Sequence, residues 1–123
     1  MEPGTLGKEY SDSEVICCEG DPGDCMYIIQ SGHAQALRSD NGGEVVVGDL
    51  APGDIFGEMA IFDRQPRSAT VRAKGPARVL TLDKRAFLRR VHEDPTLAFR
   101  ILKKMSERIR TLNEEVLRLR HQP

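Results

Sequence analysis

The chain has 123 residues, of which 39% are hydrophobic and 30% are charged, and these values are typical of a globular domain and not of a disordered chain. The length suffices for one hydrophobic core, and no apolar run approaches the roughly 20 residues that cross a bilayer. The N-terminus lacks the basic region and apolar segment of a secretory signal peptide, so we expect a cytoplasmic protein that does not bind membranes.

Charge is nearly balanced overall but unevenly distributed along the chain. Counting Lys, Arg, Asp and Glu gives a net charge of −6 for residues 1–82 and +5 for residues 83–123, against −1 for the whole chain. A basic C-terminal third could indicate nucleic-acid binding. However, acidic residues are interleaved with the basic ones, and no second pair of helices follows that could enter a DNA groove. We therefore expect a solvated helix face and no direct contact with nucleic acid.

The cysteines and histidines do not form a metal-binding pattern. Cys17, Cys18 and Cys25 match neither an even disulfide set nor a zinc spacing. The three histidines are far apart in the sequence, which argues against a metal-dependent enzyme. We expect no metal site, and we expect the cysteines to serve as small, partly buried hydrophobes.

Most of the first 82 residues read as short strands separated by turns, after a flexible leader. Gly, Pro, Asn and Asp cluster at residues 20–24, 41–43 and 51–54, Ser31-Gly32 predicts a tight turn, and Gly75-Pro76 forms a later break. Turn signals at intervals of about ten residues indicate an antiparallel sandwich or jelly roll and not a series of βαβ units. The predicted strands cover residues 14–18, 26–30, 33–37, 44–48, 68–73 and 78–82.

The last third changes to a helical period. Asp83 can cap a short helix that ends near residue 91, and Asp94 can cap a longer helix with Pro95 at its first position. Six apolar residues then alternate at spacings of three and four, as in a heptad seam: Leu102, Met105, Ile109, Leu112, Val116 and Leu119. The stripe could pack on its own domain. We favour a helix–helix homodimer, because a short barrel cannot cover six apolar positions in a straight line.

Residues 55–73 carry the strongest functional signal. Gly57 stands between a strand end and one helical turn, where it lets a ligand approach the backbone, and the first N–H groups of that turn can bind an anion. Arg67 adds a charged fork that matches two phosphate oxygens. Glu58 would repel a phosphate, so we expect its carboxylate to accept hydrogen bonds from neighbouring sugar hydroxyls. Together these groups predict a sugar-phosphate site.

The same stretch resembles the phosphate-binding cassette of the cyclic-nucleotide-binding domain family. Residues 56–61 (F-G-E-M-A-I) and 66–71 (P-R-S-A-T-V) match the family pattern position by position. The resemblance implies a mainly β fold, an antiparallel β jelly-roll barrel (a double-stranded β-helix) followed by a short helix and a long C-terminal helix. It also implies that Glu58 binds the ribose 2′-hydroxyl and that Arg67 binds the cyclic phosphate. The other pocket residues that we predict are Phe56, Gly57, Met59, Ala60, Ser68, Ala69, Val47 and Leu50.

The long helix is similar to the one that dimerises and covers the nucleotide base in the bacterial catabolite-activator branch of this family. On that resemblance Arg108 would reach toward the cassette glutamate, and Asn113 would meet the adenine amino group. Leu112 departs from the branch, which weakens the expectation of base-specific contacts. We therefore predict a binding core with its cassette at residues 1–93 and a lid and dimerisation helix at residues 94–123.

These observations predict a non-catalytic sensor that binds cAMP, or secondarily cGMP. Ser68 after Arg67 favours cAMP by the same resemblance. Because only four residues follow Leu119, we expect a stand-alone domain without a DNA-binding region, whose signal is received by an unknown downstream protein. The alternative is a dimerising scaffold or regulatory partner with an unoccupied pocket or another ligand, such as a cyclic dinucleotide. A phosphodiesterase is a more remote reading, since it would need a metal cluster or a general base.

Overall fold

The computed structural model describes residues 7–62 and 66–121. The chain forms a β-rich first part and a helical last part. The strands are β1 (Lys8–Tyr10), β2 (Val15–Cys17), β3 (Cys25–Asp40), β4 (Gly43–Leu50), β5 (Ile55–Phe56) and β6 (Thr70–Asp83). The helices are α1 (Met59–Phe62), α2 (Lys84–Glu93) and α3 (Thr96–Arg120).

The six strands of the described residues form one antiparallel sheet. Its main path runs β1-β6-β3-β4, with β2 pairing with β6 and β5 pairing with β3. The long strands β3 and β6 lie side by side in the middle and hold the shorter strands in place. The predicted fold class, mainly antiparallel β followed by a short and a long helix, is confirmed, although the sheet of the described residues does not close into a barrel.

Two of the predicted turns are wrong, because the chain continues as a strand through them. Predicted strands 26–30 and 33–37 are parts of β3. Predicted strand 78–82 is part of β6, and predicted strand 68–73 overlaps it from Thr70, because Ser68 and Ala69 lie in a bend before the strand. Gly32, with a φ of +78°, lies where the β3–β6 register shifts, so this glycine accommodates an irregularity within a continuous ladder. The predicted leader also contains a strand, since β1 pairs with β6.

The core lies along the buried faces of β3 and β6. Ile29 and Val79 are opposite each other in the β3–β6 ladder, and both are almost fully buried. Tyr10 from β1 packs into the same cluster, which explains why residues 8–10 are held against the sheet. The full cluster consists of Tyr10, Tyr27, Ile29, Ala34, Phe56, Val71, Ala73, Ala77 and Val79. Tyr27 and Phe56 connect this core directly to the cassette.

The start of α2 agrees with the predicted cap, whereas α3 begins at Thr96, so Pro95 is the N-cap residue and not the first helical residue. The Asp83 carboxylate accepts a hydrogen bond from the Ala86 N–H at 2.7 Å, and the Asp94 carboxylate accepts one from the Thr96 N–H at 3.1 Å. Contacts divide the chain into two compact units, Met1–Ala86 and Phe87–Pro123. Across residues 7–62 and 66–121, no helix is both long and apolar enough to span a membrane.

Candidate functional site

A glycine turn connects β5 to α1 and begins the candidate site. Gly57 adopts a φ of +74°, a backbone conformation that side chains with a Cβ rarely adopt. Its carbonyl accepts the Ala60 N–H at 3.2 Å, and the Glu58 carbonyl accepts the Ile61 N–H at 3.1 Å. The predicted single helical turn is therefore present, as the four-residue helix α1. The turn brings the polar backbone of Gly57 and Glu58 to the end of a buried strand.

The Arg67 side chain lies against this turn. It is only 8% exposed, and its Nη1 donates to the Gly57 carbonyl oxygen at 3.2 Å. Its Nη2 donates to Cys25 Sγ at 3.3 Å, and its Cζ lies 5.2 Å from the centre of the Tyr27 ring. That ring stacks on Phe56, with 4.9 Å between the ring centres. A buried cation is thus held between the cassette backbone and an aromatic face of the core.

The surroundings of Arg67 also perturb neighbouring titratable groups. Burial raises the pKa of Tyr27, and the hydrogen bond between its hydroxyl and the Cys25 sulfur at 3.5 Å raises this pKa further. Burial likewise raises the pKa of the Cys17 thiol, although the positive charge of Arg67 partly opposes that shift. Tyr27 is therefore neutral near pH 7, and its ring rather than a phenolate faces the guanidinium.

Glu58 is the second charged residue that the fold buries here. Its exposed fraction is 3%, whereas glutamates are usually exposed unless they have a partner. The glutamate follows Gly57 directly, so it enters the interior at the same turn whose carbonyl accepts the Arg67 hydrogen bond. Glu58 and Arg67 are the buried polar side chains identified in the described part of the chain. Both belong to the cassette predicted from the sequence.

The structure brings some of the predicted site residues together and separates others. Phe56 and Ala60 are buried beside the Gly57 turn, whereas Met59 and Ser68 are exposed and Ala69 is half-buried. On β4, Val47 is exposed and Leu50 packs partly against the core. The helix residues Arg108 and Asn113 are both exposed on α3, in the second unit. Of the predicted site residues, Arg67 and Gly57 are in direct contact, through the hydrogen bond from the guanidinium to the Gly57 carbonyl.

A cavity of about 320 Å³ lies elsewhere in the first unit. Its lining residues are His33, Ala34, Asp49, Leu50 and Lys74. Of the predicted site residues only Leu50 belongs to this lining, so the cavity is separate from the contact between Arg67 and Gly57. Among the described residues, no group of three or more His, Cys, Asp or Glu could hold a metal ion.

Three residues that the sequence analysis did not place in the site contact Arg67. Cys25 and Tyr27 lie two residues apart on β3 and so face the same side, where one accepts a hydrogen bond from the guanidinium and the other offers its ring. Gly23, in the loop before β3, lies directly against the same guanidinium. The Gly-rich turn was visible in the sequence, but nothing in its spacing indicated a partner more than 40 residues away.

Comparison with known proteins identifies the class. The family model for the cyclic nucleotide-binding domain matches residues 7–94, which is more than half of the chain. The chain therefore belongs to the cyclic nucleotide-binding domain family, as the cassette predicted. A cAMP-dependent protein kinase regulatory subunit from Mycosarcoma maydis is 42% identical over 87 residues, an alignment that covers 67% of this chain and 17% of that protein. The chain thus spans about a fifth of the length of the curated relatives that it matches.

Solved structures show the same relationship. The catabolite activator protein of Thermus thermophilus is 29% identical, with a TM-score of 0.81 over 91% of this chain and 53% of that one. The regulatory domain of Toxoplasma gondii PKA, solved with cAMP, is 38% identical, with a TM-score of 0.62 over 65% of this chain and 31% of that one.

Proposed function

We propose that this chain is a non-catalytic sensor that binds cAMP in preference to cGMP at the site formed by Gly57, Glu58 and Arg67. The observation that carries the proposal is the buried Arg67 guanidinium, which donates to the Gly57 backbone at 3.2 Å within the segment that resembles the family cassette. The similarity to a cAMP-dependent kinase regulatory subunit and to a regulatory domain solved with cAMP supports cAMP as the ligand.

The chemistry of Arg67 suits a cyclic phosphate. Its Nη1 and Nη2 donate to the Gly57 carbonyl oxygen and to the Cys25 sulfur. A phosphate oxygen carries negative charge and accepts a shorter, stronger hydrogen bond from a guanidinium. Exchange of these two acceptors for the phosphate would therefore favour binding. The smaller contacts would come from Phe56, Gly57, Met59, Ala60, Ser68 and Ala69, and the base-facing ones from Val47, Leu50, Arg108 and Asn113.

Glu58 would bind the sugar and not take part in catalysis. A buried carboxylate beside a phosphate-binding arginine is useful when the ligand presents hydroxyl donors to it, as a ribose does. A glutamate held by a sugar hydroxyl is unavailable as a general base, so the ligand would be bound and released without hydrolysis. Ser68, which follows Arg67, supports cAMP over cGMP by resemblance to the cAMP-binding branch.

Isothermal titration calorimetry of the full chain with cAMP, cGMP and a cyclic dinucleotide tests the proposal. We expect saturable heat with cAMP, weaker binding of cGMP and no binding of the dinucleotide. The second candidate function, a dimerising scaffold whose pocket has another ligand or none, rests on the exposed apolar stripe of α3. Heat with the dinucleotide alone, or with none of the three ligands, would favour that scaffold and contradict the sensor.

The role of Glu58 can be tested separately from that of Arg67. Glu58→Gln keeps the size and one acceptor oxygen but removes the charge that strengthens a hydrogen bond from the ribose. We expect the variant to lose about tenfold or more in affinity for cAMP, since charged hydrogen bonds contribute about 1.5–3 kcal/mol. Its affinity for 2′-deoxy cAMP should change much less, because that ligand lacks the hydroxyl. Equal losses with the two ligands would mean that Glu58 acts through the protein.

We further propose that residues 94–123 act as the lid and the dimerisation element of a core at residues 1–93. Five of the six stripe residues are exposed, including Leu102 at 65%, Ile109 at 60% and Leu112 at 57%, whereas Met105 is half-buried. From Ile109 onward, Ile109 and Val116 occupy a positions and Leu112 and Leu119 occupy d positions, a pattern that favours parallel two-stranded coiled coils. Glu115 at g and Arg120 at e also carry the opposite charges that such a dimer pairs between helices.

A pair of matched variants tests the dimer. Leu112→Asp places a charge in the stripe, whereas Thr111→Asp places the same charge on the neighbouring face of α3. We expect the parent and Thr111→Asp to be dimeric with cAMP bound, and Leu112→Asp to be monomeric, because burying an unpaired carboxylate is costly. Multi-angle light scattering measures the mass with and without cAMP. A dimer that survives Leu112→Asp would exclude this stripe as the interface.

To transmit a signal, the sensor needs a partner protein that recognises its ligand-bound form. A ligand can shift the equilibrium between two arrangements of α3 only to the extent that the ligand binds one arrangement more tightly than the other. We propose that α3 is docked and dimeric with ligand bound, and that a downstream cytoplasmic protein recognises this arrangement.

A further inference from the structure

The loop between β2 and β3 packs against the guanidinium of Arg67. A Cβ built on Gly23 would lie 2.4 Å from Arg67 Nε, 2.5 Å from Cζ and 2.8 Å from Nη2. Real Cβ atoms essentially never approach other heavy atoms within 3.0 Å. The guanidinium therefore fills the space that any side chain at position 23 would require.

Several contacts hold the guanidinium, and moving it aside would break them. A Cβ on Gly57 would lie 2.5 Å from Nη1, so a second glycine borders the same group. Cys25 Sγ accepts the Nη2 hydrogen bond, and the centre of the Tyr27 ring lies 5.2 Å from Cζ. The group is thus enclosed in a slot between two glycines that come from distant parts of the chain.

The loop cannot retreat as a unit, because its backbone is bonded to the residue whose side chain it touches. The Gly20 N–H donates to the Arg67 carbonyl at 2.8 Å, and the Arg67 N–H donates to the Asp21 carbonyl at 2.9 Å. These two bonds hold residues 20–21 beside the cassette, and Gly23 follows two residues later. We therefore expect a side chain at position 23 to displace the Arg67 side chain and not the loop.

We infer that Gly23 is a positioning residue, which keeps the Arg67 guanidinium in the orientation that a cyclic phosphate needs. The inference rests on the proposed function and extends the anion site beyond the cassette to the β2–β3 loop. Gly23 contacts no ligand in this scheme and acts only through Arg67. The β2–β3 loop thereby forms one side of the space that holds the guanidinium. A residue larger than glycine at position 23 would therefore disturb the phosphate site.

Gly23→Ala in the full chain tests the inference. The φ of Gly23 lies outside the left-handed region, so alanine fits the backbone and only the contact with Arg67 is disturbed. We expect a roughly tenfold to hundredfold weaker affinity for cAMP, because one charged hydrogen-bonding group is displaced. Gly43→Ala is the matched control, since its Cβ would meet only the Asp40 carbonyl oxygen at 3.7 Å, an ordinary contact. Its affinity should equal that of the parent chain.

The decisive experiment repeats Gly23→Ala in a variant that lacks the Arg67 guanidinium. In an Arg67→Ala background the new Cβ meets no guanidinium, so Gly23→Ala should cause no further loss of affinity. An equal loss in both backgrounds, or an unchanged affinity of Gly23→Ala in the parent, would overturn the inference. Absence of cyclic-nucleotide binding by the parent chain would instead contradict the proposed function. Urea unfolding of each variant reports separately whether the substitution destabilises the fold.

Discussion

Arg67→Ala is expected to weaken cAMP binding by about 30-fold to several thousand-fold. Truncating one partner of a buried, hydrogen-bonded charge pair costs about 2–5 kcal/mol, which corresponds to that range of affinities. The loss should be this large because Arg67 is 8% exposed, so water cannot replace the guanidinium as the partner of the phosphate. Calorimetric titration of the full chain measures the effect.

Two controls separate the charge of Arg67 from its shape and from general electrostatics. Arg67→Lys keeps the charge but loses the planar fork, so its affinity should lie between those of the parent and Arg67→Ala. Arg72→Ala removes a partly exposed arginine that pairs with Glu44 at 3.3 Å, and it should bind like the parent. Parent-like affinity in Arg67→Ala would remove this residue from the site.

The same substitution should affect the unliganded protein much less. Removing the guanidinium loses its hydrogen bonds to Gly57 and Cys25, but it also removes the desolvation cost of a buried cation. These two effects oppose each other. We therefore expect the free energy of unfolding without cAMP to change little compared with the free energy of binding, as urea titration would show.

Gly57→Ala is expected to damage both binding and stability. A φ of +74° costs a residue with a Cβ about 1–2 kcal/mol, which should appear as a loss in the free energy of unfolding. The new Cβ would also lie 2.5 Å from Arg67 Nη1, so the guanidinium or the turn must shift. Displacing a charged hydrogen bond should weaken cAMP binding by roughly 10-fold to 150-fold.

Gly75→Ala distinguishes the strain at Gly57 from the contact with Arg67. Gly75 has nearly the same φ, +77°, but no atom lies within 4 Å of a Cβ built there. We expect a similar loss of stability in urea unfolding and an unchanged affinity for cAMP. If both variants lost affinity equally, backbone strain alone would explain the effect, and the contact between Gly57 and Arg67 would have no special role in binding.

The cassette was predictable because its chemistry is contained in one short segment. Gly57, Glu58 and Arg67 fall within eleven consecutive residues, and their backbone and charge requirements can be read without knowing the rest of the fold. The helix starts were predictable to within one residue for the same reason, since Asp83 and Asp94 bond to N–H groups two or three residues away. Local hydrogen bonds and local backbone preferences leave a signature in sequence.

The continuity of the long strands was not predictable in this way. Glycine marks a possible turn at Gly32 and at Gly75, and both residues do adopt positive φ angles. Whether the chain turns there or continues depends on the neighbouring strand, because the β3–β6 ladder supplies partners on both sides of the irregularity. Strand β1 was missed for the same reason, since three residues form a strand only through pairing with β6.

The family, the cassette and the heptad pattern of the C-terminal helix could be predicted from the sequence, because each depends on residues close together in the chain. The surroundings of Arg67 could not, because they depend on contacts between distant segments of the folded chain. Gly23, Cys25 and Tyr27 lie 40 or more residues before Arg67 and reach it through the pairing of β3 and the backbone bonds of the preceding loop. Steric exclusion between a glycine and a distant guanidinium has no sequence signature, because it arises from the folded positions of both backbones.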